Sequence, residues 1–455
     1  MAFGSAAALE IGFEGLLSLE ASDNVAGVNS PDEEDGFIAG AQLGIYGEQR
    51  SRLVSAAFSG EIDTRQTNTD DDSDVNTVSR FLGAAEFYLT PRSWRWYVGD
   101  ILGGVRTDNA VQPIDDNDID RRNVFVTGPS FEYDVEGVSR TRARLLYINQ
   151  TEDNESLETL YNASFSYERD TTTGSYFGFR LSDIYTDLPE LANDTIDQSD
   201  EPDFNRLSSS VYWNRLRGFL ELYGEIGLTR YDADEESLNG LNAQLRATRT
   251  LGPQTSLSIA LTRDLSDQAL STIESLISSG GEAAGVRPEA SGIFAETRLG
   301  IEYSFQSART SLDLGTGVAQ LDYKLLSIDS DLAIDASSED QLQGFAYVSY
   351  SRRLATRLRG ELSANYERRE FDNRNDESDS VLASAQLIYQ LSRSFELEGG
   401  LVHDTATGLR TRFNTGVGVE EDIDVTENRI TVGIRWAPPS RANQDLTIEL
   451  KSLLQ

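Results

Sequence analysis

Residues 354–367 read LATRLRGELSANYE, and apolar and charged side chains alternate through this stretch with a period of two. One parity carries Leu358 and Leu362, and the other carries Arg359 and Glu361. A period of two is typical of a β-strand with one apolar and one polar face. Because the pattern recurs along the whole chain, it favours a transmembrane β-barrel, in which lipid-facing and lumen-facing residues alternate.

Twenty strand-like runs can be traced, each near the ~9–11 residues that a tilted transmembrane strand needs. They lie near residues 9–20, 36–47, 51–63, 77–89, 94–104, 122–133, 138–150, 158–169, 174–185, 204–215, 217–231, 238–250, 253–265, 291–305, 308–322, 341–352, 354–367, 380–391, 394–404 and 427–437. Connections of a few residues alternate with longer ones, such as 186–203, 266–290 and 405–426. We therefore predict an all-β fold: a single antiparallel up-and-down transmembrane β-barrel of about 20 strands (18–20). Short periplasmic turns and long acidic extracellular loops would join its strands, with both ends of the barrel on the periplasmic side.

The expected organisation has three parts. Residues 1–8, MAFGSAAA, resemble the end of a signal peptide. Residues 9–437 are expected to form the transmembrane barrel. Residues 438–455 are either a periplasmic tail or an additional terminal strand, and the second alternative would change the strand count.

Composition narrows the class of protein. The 455 residues carry a net charge of -37 and include no cysteine. A strongly acidic chain lacks the basic patch that phosphate contacts require, which excludes nucleic acid as a partner. The absence of cysteine favours an oxidising compartment. We expect a protein of the outer membrane of a Gram-negative bacterium, in contact with outer-membrane lipid.

Most of the acidic residues lie between the predicted strands, in residues 69–74, 115–120, 197–203 and 372–379. One interpretation is that they only solvate the loops. The other is that they bind divalent cations at the cell exterior, because clustered carboxylates attract hard cations. The sequence leaves both open.

Parity also assigns a face to each side chain. A charge on the lipid face near the bilayer centre costs ~2–4 kcal/mol, so the charged parity should face the lumen and residues such as Ile293 and Ala295 should face lipid. The lumen-facing candidates are Glu221, Glu225, Arg246, Glu296, Arg298, Glu302, Arg357, Arg359, Glu361, Glu396, Glu398, Arg429 and Arg435. Inward arginines and glutamates on neighbouring strands can form cross-strand ladders. Such ladders are either structural only or set the selectivity of an aqueous lumen.

Arginine and tryptophan gather near the predicted short turns. Trp94, Trp96, Trp213 and Trp436 are expected to form an interfacial girdle. Neighbouring arginines, among them Arg95, Arg140 and Arg142, are expected to anchor the same rim.

No set of residues indicates an enzyme, a cofactor or a metal centre. His403 is the only histidine, and parity points it outward while its neighbour Asp404 points inward. A single histidine excludes a multi-histidine metal site. No phosphate-binding or dinucleotide-binding motif is present.

Three features carry a family resemblance. Residues 22–25 (SDNV) precede an acidic loop at 31–35 and a strand and turn that end in RSR at 50–52. Residues 122–129 read RNVFVTGP, and the hairpin layout continues to Trp436. In these features the chain resembles the outer-membrane β-barrel proteins associated with exosortase (PEP-CTERM) and exopolysaccharide systems. The resemblance implies a barrel linked to polysaccharide secretion or surface-matrix assembly, and it transfers no active-site residue.

Two functions follow as hypotheses. The first is a passive, porin-like conduit for exopolysaccharide or for small polar solutes. The alternative is a structural or surface-attachment barrel without transport activity. A loop folded into the lumen would favour small solutes, and a plugged lumen would favour the structural barrel.

Overall fold

The computed structural model describes fourteen segments of the chain: residues 10–25, 34–69, 73–90, 93–106, 119–152, 155–172, 174–187, 203–233, 236–267, 284–286, 292–326, 340–372, 377–414 and 417–436. The expected signal-peptide end and the segment 438–455 lie outside these residues.

The described segments are built from β-strands. Their bounds are β1 (Glu10–Ser22), β2 (Gly36–Arg50), β3 (Val54–Asn68), β4 (Ser73–Thr90), β5 (Trp94–Arg106), β6 (Ile119–Val135), β7 (Ser139–Glu152), β8 (Glu155–Thr172), β9 (Ser175–Asp187), β10 (Phe204–Arg217), β11 (Leu220–Ala233), β12 (Glu236–Gly252), β13 (Thr255–Asp267), β14 (Ala284–Val286), β15 (Gly292–Gln306), β16 (Thr310–Leu326), β17 (Gln341–Ala355), β18 (Leu358–Phe371), β19 (Glu377–Gln390), β20 (Phe395–Asn414) and β21 (Val417–Trp436). Within the described ranges no helix is long and apolar enough to cross a membrane.

All of these strands except the three-residue β14 close into one antiparallel barrel of twenty strands. Each strand pairs with its neighbours along the chain, β13 lies next to β15, and β1 pairs with β21 to close the ring. Closure pairs the backbone groups of every spanning strand, as the hydrocarbon core of a bilayer demands. Each of the twenty predicted runs corresponds to one of these strands, so the predicted fold is confirmed.

The seam between β1 and β21 is held by side chains as well as by the backbone. Its register runs from Gly15 opposite Trp436 to Ser22 opposite Arg429. The Ser22 hydroxyl donates to Glu427 over 2.7 Å, and Arg429 lies 3.6 Å from Glu20. Charge-assisted contacts of this kind fix the register of the closing pair.

The outer face is apolar over most of the membrane-spanning part. On β21, Ile430, Val432 and Ile434 are exposed on the outside, and Trp436 follows them near the short-turn rim. Trp94 packs against Phe131 with ring centroids 5.1 Å apart. Aromatic rings at this level form the interfacial girdle of a membrane barrel.

The extracellular connections differ from the prediction. Residues 405–426 were expected to be a long loop, but β20 continues to Asn414 and β21 begins at Val417. The two strands stay paired as a hairpin through these residues. In residues 417–425, VGVEEDIDV, the alternation is reversed: Ile423 and Val425 share the parity of Arg429, and Asp422 and Asp424 share that of Ile430. Ile423 and Val425 are buried with Ala406, so this part of β21 lacks the apolar outer face that marks a spanning strand.

Candidate lumen site

A ladder of arginine and serine runs around the inner wall in the periplasmic half of the barrel. The register places Arg95 of β5 opposite Ser130, Ser130 opposite Arg144 of β7, and Arg144 opposite Ser164 of β8. Residues directly opposite one another on an antiparallel pair lie close enough for their side chains to interact. Each guanidinium therefore lies beside a small hydroxyl group.

A second row lies closer to the short turns. There the register places Glu132 opposite Arg142, Arg142 opposite Ser166, and Ser166 opposite Arg180 of β9. The two rows follow directly from the alternation of side chains along each strand, since the inward residues of β7 are two apart.

Between these rows is a cavity of about 340 Å³, which we call the arginine cavity. The guanidinium groups of Arg95, Arg142, Arg144 and Arg180 line it, together with three serines, Tyr97 and three glutamates, Glu86, Glu132 and Glu168. Serine is small, so it leaves room between the long arginine side chains.

The carboxylates of the arginine cavity are shared among several arginines. Glu132 accepts from Arg95 over 2.7 Å and lies 3.5 Å from Arg142. Glu168 lies 3.9 Å from Arg142 and 3.5 Å from Arg140. Because each carboxylate contacts more than one arginine, the guanidinium groups are held in place without forming one-to-one ion pairs.

The predicted lumen residues of β11 and β12 lie on the inner face beside this region. Glu221 accepts from Asn214 over 2.6 Å, and Glu225 accepts from Ser210 over 2.5 Å. Arg246 stacks over the Tyr223 ring, 5.5 Å from its centroid.

The predicted residues of β15 to β18 form a separate group. Arg298 stacks 4.5 Å from the Phe345 centroid and lies 4.0 Å from Glu296. Glu302 is hydrogen-bonded to Tyr347. Arg359 and Glu361, two residues apart on β18, form an ion pair of 2.9 Å.

The predicted residues next to the seam are tightly paired. Glu398 accepts from Arg435 over 2.6 Å, and Glu396 lies opposite Arg435 in the register. Arg429 contacts Glu427 at 3.1 Å.

Arg357 is placed differently from the other predicted lumen residues. β17 continues to Ala355 and β18 begins at Leu358, so Arg357 is exposed in the turn between them. The predicted strand 354–367 begins too early because its alternation continues without a break across this two-residue turn.

Sequence reasoning missed the arginine cavity. Arg95 and Arg142 were expected to anchor the rim, and Arg144 and Arg180 were not singled out. The structure aims all four inward. The available signal was the RTRAR stretch at residues 140–144, where three arginines share one parity; the register that brings the other strands beside it is a property of the closed sheet.

The inner wall changes character in the extracellular half. Ile101, Val124, Ile148 and Leu160 lie on the inner face of β5 to β8 and are fully buried. Side chains on the wall of an open aqueous lumen would be exposed. Other parts of the protein therefore cover the wall at this level.

One part of the wall folds into the lumen. Pairing between β12 and β13 ends at Ala243 opposite Arg263, and the end of β13 leaves its neighbour. Arg206 of β10 donates to the Leu265 carbonyl over 3.2 Å, and the Tyr231 hydroxyl of β11 donates to Asp267 over 2.8 Å. These contacts bypass β12, so residues 264–267 lie over the inner face of β10 to β12.

Two predicted lipid-facing residues belong to this inward fold. Ile293 and Ala295 of β15 are buried in a cluster with Tyr231 and Leu265. The prediction that they face lipid is wrong, because parity gives a side of the sheet and this part of the sheet turns into the lumen.

The short β14 lies beside β5, where Ala284 pairs with Val105 in parallel, although it falls between β13 and β15 in the chain.

His403 lies outside the lumen. Its Nδ1 is 2.8 Å from the Asn428 side-chain oxygen on β21, and Asp404 lies opposite Glu427 on the other face. Among the described residues, no group of three or more histidine, aspartate or glutamate side chains is arranged to hold a metal ion.

Comparison with known proteins reveals likeness in structure alone. No protein-family model matches the chain, and no curated protein matches its sequence. The siderophore receptor PirA from Pseudomonas aeruginosa is 12% identical, with a TM-score of 0.50 over 93% of this chain and 80% of that one. A variant of the ferric enterobactin receptor PfeA from the same organism, in complex with enterobactin, is 10% identical, with a TM-score of 0.52 over 93% of this chain and 81% of that one.

The chain is an outer-membrane β-barrel. The likeness establishes the fold, and the apolar outer belt with its aromatic girdle is the surface that such a barrel presents to lipid. The predicted location in the outer membrane of a Gram-negative bacterium is confirmed. The barrel belongs to a fold that carries many functions, so its own function has to be argued from its lumen.

Proposed function

We propose that the barrel is a passive, porin-like conduit that lets small polar solutes cross the outer membrane. The observation that carries the proposal is the inner wall of the periplasmic half. Its charged and hydroxyl side chains face a space that lipid cannot fill, as in Arg359 with Glu361 and in the arginine cavity. A barrel wall that is polar on the inside and apolar on the outside is the arrangement that solute passage through a membrane requires. No catalytic step is part of the proposal.

Small solutes fit the structure better than a polysaccharide chain. The buried inner wall at Ile101 and Val124 and the inward fold at residues 264–267 both reduce the free width of the extracellular half. The proposed link to exopolysaccharide secretion or surface-matrix assembly rests on the sequence resemblance. Divalent cations are proposed partners of the acidic extracellular stretches, which lie largely outside the described residues.

Planar-bilayer recording of the refolded barrel tests the conduit. We expect stepwise conductance that rises with salt concentration, because an aqueous lumen conducts in proportion to its ions. Liposome swelling with sugars of increasing size would then separate the cargo classes: entry limited to mono- and disaccharides supports small solutes, and entry of long oligosaccharides supports polysaccharide.

The alternative is a structural or surface-attachment barrel without transport, and the covered wall of the extracellular half favours it. Absence of conductance at every salt concentration, from a barrel shown to be folded, would exclude the conduit and leave this function.

A further inference from the structure

The arginine cavity concentrates positive charge in a strongly acidic protein. Four guanidinium groups and three carboxylates line it, which leaves one positive charge in excess, whereas the whole chain has a net charge of -37. The surplus lies inside the barrel wall. Fields in such a confined space are screened less than at an open surface.

Two of the four arginines, Arg142 and Arg180, are held less tightly than Arg95, which donates to Glu132 over 2.7 Å. Arg142 lies 3.5 Å and 3.9 Å from its two carboxylate neighbours, and Arg180 lies 3.8 Å from Glu225. By contrast, Arg435 approaches Glu398 to 2.6 Å and Arg80 approaches Glu61 to 2.8 Å. Arg142 and Arg180 therefore retain donor capacity that a ligand can use, since each guanidinium carries five N–H groups.

The geometry of the arginines is fixed by the sheet and by packing. Arg142 and Arg144 are two residues apart on β7 and point to the same side, and Arg180 stacks over the Tyr212 ring at 5.4 Å from its centroid. Ser130, Ser164 and Ser166 stand between them and add hydroxyl donors. A planar guanidinium matches an oxyanion with two parallel hydrogen bonds, and preorganised donors bind such a group at a low entropic cost.

We propose that the arginine cavity binds the oxyanion group, carboxylate or phosphate, of a small solute in the periplasmic half of the lumen. Arg142, Arg144 and Arg180 hold the anion, and the serine hydroxyls complete its hydrogen bonds. The cavity of about 340 Å³ accommodates a solute of a few carbon atoms together with its oxyanion. This inference deepens the proposed function, because it names the chemical class of solute that the conduit would prefer.

Calorimetric titration of the folded barrel in a non-ionic detergent at low salt tests the proposal. The probes are citrate for carboxylates, pyrophosphate for phosphates and glucose as a neutral solute. We expect at least one anionic probe to bind and glucose not to bind. Binding of citrate alone or of pyrophosphate alone supports the site and identifies the source of the oxyanion.

Substitutions assign the binding to the cavity. Arg144→Gln is expected to weaken binding of the anionic probe at least tenfold. Arg144→Lys should weaken it by a smaller factor, because lysine keeps the positive charge but cannot form the two parallel hydrogen bonds of a guanidinium. Arg80→Gln is the matched control: it removes one positive charge from the inner wall at a position paired with Glu61, and it should change binding less than twofold. The heat-dependent shift of the barrel in gel electrophoresis confirms that each variant is folded.

Three results would overturn the site: no binding of either anion, equal binding of glucose, or equal losses in the Arg144→Gln and Arg80→Gln variants. Binding in detergent does not require an open channel, so the two proposals fail separately. A barrel that binds citrate and never conducts refutes the conduit and keeps the site. A barrel that conducts and binds neither anion refutes the site and keeps the conduit.

Discussion

The two halves of the inner wall are formed by the same twenty strands, but they differ in the polarity and the burial of their side chains. In the periplasmic half the wall is charged and rich in serine, with shared ion pairs around Glu132 and Glu168. In the extracellular half the same faces of β5 to β8 carry Ile101, Val124, Ile148 and Leu160, which are fully buried. Where other parts of the chain cover the barrel wall, its side chains are buried, the apolar ones beside polar ones such as Arg122 and Gln150. Where they do not, the wall remains a polar surface.

The largest expected effect comes from adding the same carboxylate to each half. Ile148→Glu places an unpaired charge in the covered wall and should lower the free energy of unfolding by more than about 3 kcal/mol. Ser166→Glu places the same carboxylate among the arginines of the cavity and should change the free energy of unfolding by less than about 1 kcal/mol. The new carboxylate should also abolish anion binding, because it occupies the guanidinium donors. Urea unfolding in lipid vesicles, followed by tryptophan fluorescence, measures both.

If the Ile148→Glu variant does not fold, Ile148→Ala keeps the comparison measurable, with an expected loss of ~2–4 kcal/mol from the cavity it leaves. Equal tolerance of glutamate at Ile148 and Ser166 would mean that the two halves of the wall do not differ.

A second prediction compares, within the periplasmic half, the loss of stability when an arginine is removed from a carboxylate with one arginine partner and from a carboxylate with several. Arg435→Gln leaves Glu398, which is nearly buried, without its 2.6 Å partner, at an expected cost of ~1–3 kcal/mol. Arg142→Gln should cost less, because Glu132 keeps Arg95 at 2.7 Å. Unfolding curves of the two variants in the same vesicles check the order, and the reverse order would contradict the distinction.

A smaller effect tests the inward fold that helps to cover the extracellular half. Tyr231→Phe removes the hydroxyl that donates to the buried Asp267 and should cost ~1–2 kcal/mol. Tyr185→Phe is the control, since its 2.6 Å hydrogen bond to Asp203 is exposed and should contribute much less. Hydrogen exchange at residues 264–267 should accelerate in the Tyr231→Phe variant alone.

The smallest expected effect concerns the outer face. Asp183 of β9 shares its parity with Leu181 and Tyr185 and is exposed on the lipid side, between Ala163 and Leu207 in the register. Asp183→Leu should raise the free energy of unfolding by up to about 1 kcal/mol, because a carboxylate facing lipid is unfavourable. A destabilised variant would show that Asp183 does not face lipid.

The sequence by itself predicted a barrel of about 20 strands (18–20), the order of the strands and the face of most side chains. A period of two is a local property of an extended chain beside lipid, so Ile430, Val432 and Ile434 reveal their face without knowledge of their neighbours. The same locality explains the error at Arg357, where alternation passes unbroken through a turn.

The tertiary structure alone decided what the lumen contains. Arg95, Arg144 and Arg180 come from strands far apart in the chain, and only the register of the closed sheet places them around one cavity. Ile148 is buried in a cluster that spans β4 to β9, and Ile293 of β15 is buried against Tyr231 of β11, so their burial likewise depends on strands that only the folded sheet brings together. Parity records which side of the sheet a residue occupies, and the path of the whole chain decides whether that side meets lipid, water or protein.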